Sequence, residues 1–287
     1  MQQKHTICDF DSSNSWVILS PIEQSIKRKI EAVGTPLKDW DIQINYGIKT
    51  GYNEAFIIST EKRDKILANC ADEDERKRSE ELIRPILRGR DIKRYGYDWS
   101  QWLINTHNGV KGIFPRIKIE DYPAVKAYLD KYWDKISKRA DKGDTPYNLR
   151  NCAYLEDFNK PKILWKRIGS ILRFCYNENG ALGLDSTCFA TGRNIEYICC
   201  ILNSPMGHYM LKGSPKTGTG DLLISVQAIG PIKVPPIPDE LGIRFKSLIV
   251  NICHITSDDH EKQINKTIYD LYNLSTEERK YIDDNFN

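Results

Sequence analysis

The chain has 287 residues, 40% of them apolar and 28% charged, with a net charge of +3 and a pI near 8.3. Those proportions describe an ordinary soluble protein with room for one large domain or two modest ones, and any nucleic-acid surface on it has to be a local patch. No apolar run approaches the roughly 20 residues that span a bilayer, the N-terminus lacks an apolar signal-peptide core, and the eight cysteines form no CxxC pair, so a cytoplasmic, reduced protein without a structural zinc site is expected.

Residues 1–45 read as a lead-in segment. The apolar run from Trp16 to Leu19 precedes a helical stretch from Ile22 to Val33, with Ile22, Ile26 and Ile30 at i, i+4 spacing and Gly34 and Pro36 ending it. Ile42-Gln43-Ile44 then alternates like a strand, runs into a loop bounded by Gly47 and Gly51, and resumes as a second strand over Ala55–Ile58. Thr60 to Arg84 reads as one charged helix limited by Pro85. After a loop from Arg88 to Tyr95, Trp102-Leu103-Ile104 reads as a strand.

Asp121 as cap, Pro123 in the first turn and a stripe of Val125, Leu129, Trp133 and Ile136 predict one helix closed by Ser137–Gly143. Lys162–Ile168 and Ile171–Tyr176 read as successive strands with Asn179-Gly180 as the following turn. Glu196–Leu202 is an apolar helix halted by Asn203-Ser204-Pro205, and the proline-rich Pro231–Pro238 suits only an edge strand. A helical tail follows, with Ile264, Ile268, Leu271 and Tyr272 on one face and a capping box Ser275-x-x-Glu278. The expected class is α+β: a mixed or antiparallel sheet core flanked by helices, with a helical C-terminal tail. The expected organisation is a lead-in over 1–45, a recognition domain over 46–235 and the tail over 236–287.

Catalytic signatures do not occur. There is no P-loop, no HExxH and no Asn/Asp-Pro-Pro-Tyr/Phe motif of the amino-methyltransferases that hold a flipped base. Gly218-Thr219-Gly220 lacks the strand-before, helix-after setting of a dinucleotide fingerprint. Pro238-Asp239 with Glu278-Arg279-Lys280 has the letters of a PD-(D/E)xK nuclease, but its second half opens a capped helix. His107, His208, His254 and His260 have no Cys or His at metal-ligand spacing.

What remains is cationic side chains beside glycines. Lys49, Thr50 and Asn53 bracket Gly51: lysine suits phosphate or guanine, threonine can donate to phosphate, and asparagine can pair with adenine. The competing reading is a polar hairpin loop with a solvated lysine. Arg88-Gly89-Arg90-Asp91 with Lys93 and Arg94 either presents two guanidinium forks to DNA, one oriented by Asp91, or is a surface turn with local Arg–Asp pairing. Lys160, Lys162, Lys166, Arg167 and Arg173 around Trp165 form either a DNA-facing strand or a solvated sheet face, and Lys212–Asp221, with Lys216, is either a mobile loop or one that orders on DNA. Tyr128, Tyr132 and Trp133 fit core packing better than a stacking platform.

In their order along the chain, Gly47–Phe56, Ile86–Tyr95, Lys160–Ile163, Leu202–Pro205, Ile232–Pro238 and Tyr269–Glu278 resemble the TaqI-like C-terminal specificity domain of type IIG restriction–modification enzymes. The resemblance implies a module that reads double-stranded DNA and positions a target adenine, with DNA contact carried over to Lys49, Thr50, Gly51, Asn53, Arg88, Arg90 and Arg94, and with Gly89 between the two arginines added to the expected contacts. Lys162, Lys166, Arg167 and Lys216 join the expected contacts from their own setting. It also implies that S-adenosylmethionine and Mg serve separate methyltransferase and nuclease domains, and that this chain, with no catalytic residue or cofactor of its own, is an excised or separately encoded part. A fragment resembling a type I specificity subunit, an enzyme with an unrecognised site and a protein-interaction domain are the alternatives.

Overall fold

The computed structural model describes residues 19–254 and 258–286; the Trp16–Ile18 run and the side chain of His254 lie outside what it describes. Alternation along the strands sets the layout. Ile42–Tyr46, Thr187–Gly192, Lys162–Lys166 and Phe174–Asn177 form, in that spatial order, a four-stranded antiparallel sheet. With a side-chain period of two, Ile163, Trp165, Phe174, Tyr176, Cys188 and Ala190 enter one hydrophobic cluster, whereas Leu164, Cys175 and Phe189 enter another. The sheet is thus buried on both faces, which is why these strands read as nearly continuous apolar runs.

On the first face lie the helix Ile195–Asn203, the lead-in helix Pro21–Val33 and the tail, whose Ile264, Ile268 and Tyr272 are buried in the same cluster. The tail therefore docks on this chain's own fold, packed against the helices Ile195–Asn203 and Pro205–Leu211. The lead-in helix is capped as its sequence dictates: Ser20 accepts from Glu23 N, and Glu23 reaches back to Ser20 N at 3.0 Å. Glu278 closes the second capping box on Ser275 N (2.6 Å) and also receives Ser25 Oγ and Lys29 Nζ at 2.7 Å, so one carboxylate joins both ends of the described chain. Asn203 seals the sheet edge, accepting from Phe174 N (3.0 Å) and donating to Phe174 O (2.7 Å). Residues Lys233–Val234 pair only with Thr35–Pro36, the edge position their prolines allow.

Across the second face sits a smaller sheet in the order Ile57–Ser59, Gln101–Ile104, Ile83–Leu87, Leu182–Gly183, antiparallel except for the last pair. Several expectations change here. Ala55–Ile58 is not one strand: Asn53–Phe56 is a helical turn that buries Ala55 and Phe56, and the strand is Ile57–Ser59. The Gly47–Gly51 loop is no hairpin, because the strands on either side of it belong to different sheets.

Thr60–Arg84 is two helices, Thr60–Ala68 and Glu73–Leu82, the second opened by Asp72 accepting from Glu75 N (2.7 Å). Pro85 lies inside a strand, opposite Trp102 and just before the parallel neighbour joins at Ile86. The 123–136 helix breaks after Asp130; the short turn Trp133–Ile136 leaves Trp133 at 44% exposure, off the buried stripe of Val125, Leu129 and Ile136. Asp121 does not cap that helix. Glu75, buried and 49 positions away, does so by accepting from Ala124 N (2.7 Å) while its other oxygen holds Ala71 N. No helix among the described residues is long and apolar enough to cross a membrane.

Candidate nucleic-acid interface

Both glycine loops spring from one shared segment, Leu182–Thr187. Ile48 N donates to Gly183 O (2.6 Å) and Asp185 N to Ile48 O (2.9 Å) on one side; Leu184 N donates to Leu87 O (2.9 Å) and Gly89 N to Ser186 Oγ (3.1 Å) on the other. The glycines serve this junction. A Cβ on Gly47 would stand 1.9 Å from Leu184 O, and one on Gly89 would stand 2.7 Å from Lys166 Cγ. They let the chain approach itself, not a ligand.

Most of the first loop is committed internally. Gly51, with φ of +71°, lies against Asp141. Thr50 is 1% exposed and its hydroxyl donates to Asn53 Oδ1 (2.5 Å), so that hydroxyl is turned to the protein and not to a phosphate. Lys49 Nζ sits 2.7 Å from Asp141 Oδ2, and that ion pair, with Arg150 behind it, holds the Asp141 carboxyl below its ordinary range. Beneath the loop, buried Arg139 donates to the carbonyls of Thr50, Asp141, Pro146 and Asn148. Tyr132 packs between Tyr52 and Tyr128, with ring centroids 6.3 and 5.5 Å away, as core packing predicts.

In the second loop the three arginines separate. Arg88 forms a two-point pair with Asp91 (Nε–Oδ2 3.0 Å, Nη2–Oδ1 3.1 Å), the local Arg–Asp contact that both sequence readings of this turn contain. Arg94 turns to the tail and pairs with Glu261 at 2.9 Å. Arg90 is left outward: its side chain is 72% exposed, and its nearest carboxylate, 3.9 Å away, is already engaged by Arg88.

Lys162 corrects the expected basic strand face. It is 0% exposed, and its Nζ donates to Phe158 O (2.7 Å) and Asn177 Oδ1 (2.8 Å). A strand central in a doubly covered sheet has no solvent face to offer, so Lys162 cannot touch DNA. Burial, aided by the nearby Arg84 charge, pulls its ammonium down from 10.5 to about 7. Between those values the unfolded chain holds a proton that the native chain lacks, so stability must rise with pH. The urea midpoint should increase from about pH 6.5 to about pH 9, and Lys162→Met should flatten that increase. An equal rise in both proteins would refute the assignment. Lys160 is occupied as well, paired with Asp157 at 2.7 Å.

The remaining cations converge. Arg90, Lys166 and Arg173 line one cleft of about 160 Å³ with Gly89, Ile92, Gly169, Ser170 and Ile171. Lys166 lies across both glycines: the Cβ positions of Gly89 and Gly169 would meet its Cγ and Cδ at 2.7 and 3.3 Å. The Ile168–Arg173 turn is braced at its base by the antiparallel pair Ile168–Gly169 with Leu222–Leu223, by Arg167 N to Ser186 O (3.0 Å) and by Ile224 N to Arg167 O (2.8 Å). Lys216 bridges to Leu222 and so borders the same turn. Among the described residues, Lys166, Arg167, Arg173 and Lys216 have no carboxylate within ion-pair distance. Arg173 was read from the sequence only as part of the basic strand face and not as one of the expected contacts, and Ile171 was not expected at all, since no sequence signal marked it.

A model of the TaqI-like C-terminal specificity domain family matches residues 84–222, a span that holds the whole cleft and excludes the Lys49 loop. The fold is similar to that of the type IIL restriction-modification enzyme MmeI, solved in complex with DNA, with a TM-score of 0.59 and 12% identity over 87% of this chain and 36% of that one. The type IIG restriction endonuclease BpuSI aligns with a TM-score of 0.45 and 14% identity over 88% of this chain and 32% of that one. The chain thus spans about a third of the length of these two enzymes. Comparison with curated protein sequences gives no match.

Proposed function

We propose that the chain, whose residues 84–222 match a model of the TaqI-like C-terminal specificity domain, is a double-stranded DNA target-recognition module that docks through the cleft of Arg90, Lys166 and Arg173. The observation that supports this reading best is that these cations, drawn from segments far apart in sequence, meet on one surface, with Lys166 and Arg173 facing no carboxylate among the described residues and Arg90 only one, 3.9 Å away and shared with Arg88. In this reading Lys166, Arg167, Arg173 and Lys216 contact phosphates and set register, and Arg90 meets guanine N7 and O6 in the major groove. Lys49, Arg88 and Arg94 are spent on Asp141, Asp91 and Glu261 and hold the loops in place instead.

The chemistry belongs to other domains, of the same or a companion polypeptide: a methyltransferase using S-adenosylmethionine on an adenine flipped from the recognised site, and a nuclease using Mg. An enzyme reading gains nothing from the strongly shifted Lys162, which is sealed inside the fold and reaches no substrate.

Titration of the full chain against duplex DNA by fluorescence anisotropy tests the proposal. Affinity should fall with salt at a log–log slope of about −0.9 per neutralised phosphate, and Lys166→Ala should make that slope shallower by about 1. Arg90→Ala should cost about 1–3 kcal/mol on the preferred sequence and much less on unrelated DNA. Salt-insensitive binding, or none, defeats the model; an equal loss for Arg90→Ala on all sequences reassigns that arginine to a phosphate.

A further inference from the structure

Of the two isoleucines that line the cleft, Ile92 is buried and Ile171 stands exposed among the cations. Ile171 is 63% exposed at the tip of the Ile168–Arg173 turn, while its neighbour Leu172 packs against the hydrophobic cluster beneath the sheet. The partial burial of Leu172 turns the tip so that Ile171 faces away from the cluster. The pairing of Ile168–Gly169 with Leu222–Leu223 and the bond from Ile224 N to Arg167 O stiffen the leg that carries it. A large exposed aliphatic group is costly to keep in water, and a β-branched one has little rotamer freedom to lose on contact. Flanked by Arg90, Lys166 and Arg173, it is suited to a surface that is anionic and carries a small apolar feature.

A base edge in the major groove offers one such feature, the 5-methyl group of thymine. We infer that Ile171 is a specificity-determining residue that reads a thymine methyl next to the base or phosphate held by Arg90. The inference rests on the DNA-recognition reading above and adds to it the identity of one base and the group that recognises it. Phosphate contacts from Lys166 and Arg173 would set the depth of the tip in the groove, and the methyl contact would then discriminate thymine from cytosine, which lacks that group at the same position.

The test begins by enriching bound sequences from a randomised duplex pool with the full chain. Each thymine of the enriched site is then replaced by deoxyuridine, which removes the methyl group and leaves every hydrogen-bonding atom in place. At one position the replacement should weaken binding about fourfold, the worth of one buried methyl group. Ile171→Ala should bind the thymine site with that same deficit and be indifferent to uracil there. As the side chain sits at an exposed tip, the variant's unfolding midpoint should match that of the parent protein.

A site with no thymine, tolerance of uracil at every position, or a uracil penalty that persists in Ile171→Ala overturns the inference while leaving DNA recognition intact. A pool from which no sequence is enriched overturns both.

Discussion

Arg139→Met is expected to destabilise the fold by about 3 kcal/mol or more, well beyond the usual effect of a single substitution. Arg139 is 7% exposed, and its guanidinium lies over the Phe56 ring, 4.4 Å from its centroid. It donates to four backbone carbonyls, from Thr50, Asp141 (2.9 Å), Pro146 (3.1 Å) and Asn148 (2.5 Å). Burial lowers its pKa from 12.5 to about 10, still far enough above neutrality to keep it charged. Methionine preserves most of the apolar stem but leaves those carbonyls facing a dry space, at about 1–3 kcal/mol for each one not rescued by water. Relief of the buried charge offsets only part of that loss.

Arg139→Lys should not restore stability, because one ammonium with three donors cannot span four carbonyls set around a planar fork. The loss should appear as a lower urea midpoint and as faster proteolysis within 48–53 and 141–150, the segments Arg139 ties together. A midpoint equal to that of the parent protein would show that the carbonyls find other donors. The Arg90 cleft lies on other elements, so residual folded protein should keep its DNA affinity, which separates a role in folding from one in binding.

How far the sequence alone led depends on how local each determinant is. The capping box at Ser275–Glu278 involves residues three apart and was read directly, whereas the equally local box at Ser20–Glu23 was passed over and the helix it opens begins at Pro21, one residue before the expected Ile22. The apolar run Ile163-Leu164-Trp165 announced a strand because a short run of large apolar residues is a local property. The helix cap supplied by Glu75 to Ala124 was hidden, since its partners are 49 positions apart. The break between Ala68 and Glu73 was legible in principle from Asp72 three residues before Glu75, but the charge run around it favoured a continuous helix.

Lys162 was misread for a different reason. A lysine at the start of an apolar strand ordinarily reaches solvent, and only the register that places it beside Asn177, with Phe158 below, shows that it does not. The candidate site follows the same division. The cationic loop at Arg88–Arg94 was visible as a charge pattern, but that Arg90 is its one outward-facing arginine depends on Asp91 and Glu261 claiming the other two. Its meeting with Lys166, 76 positions later, follows from the Ser186 contacts on both segments.

Gly47→Ala should be as damaging as the loss of Arg139, about 3–5 kcal/mol, and for a purely steric reason. A Cβ at this position would stand 1.9 Å from Leu184 O, 2.3 Å from Leu184 C and 2.7 Å from Gly183 O. Every one of these atoms is backbone, so no side-chain rotation relieves the clash. To admit the methyl group the Tyr46–Ile48 segment must move away from Gly183–Thr187. That movement strains or breaks the bonds from Gly47 N to Thr187 O (3.0 Å), Ile48 N to Gly183 O (2.6 Å) and Asp185 N to Ile48 O (2.9 Å). Because the same segment carries the Gly89 contact to Ser186 Oγ, both glycine loops should shift together.

Gly218→Ala is the matched control: nothing lies within 4 Å of its Cβ position, and its midpoint should stay within about 0.5 kcal/mol of the parent value. Urea unfolding of the two variants distinguishes the possibilities directly. If Gly47→Ala unfolds with Gly218→Ala, the junction at Leu184 is loose and the glycine is there for a ligand after all. If Gly47→Ala alone collapses, the glycine exists to let the chain cross itself, and the Arg90 cleft depends on that crossing for its position.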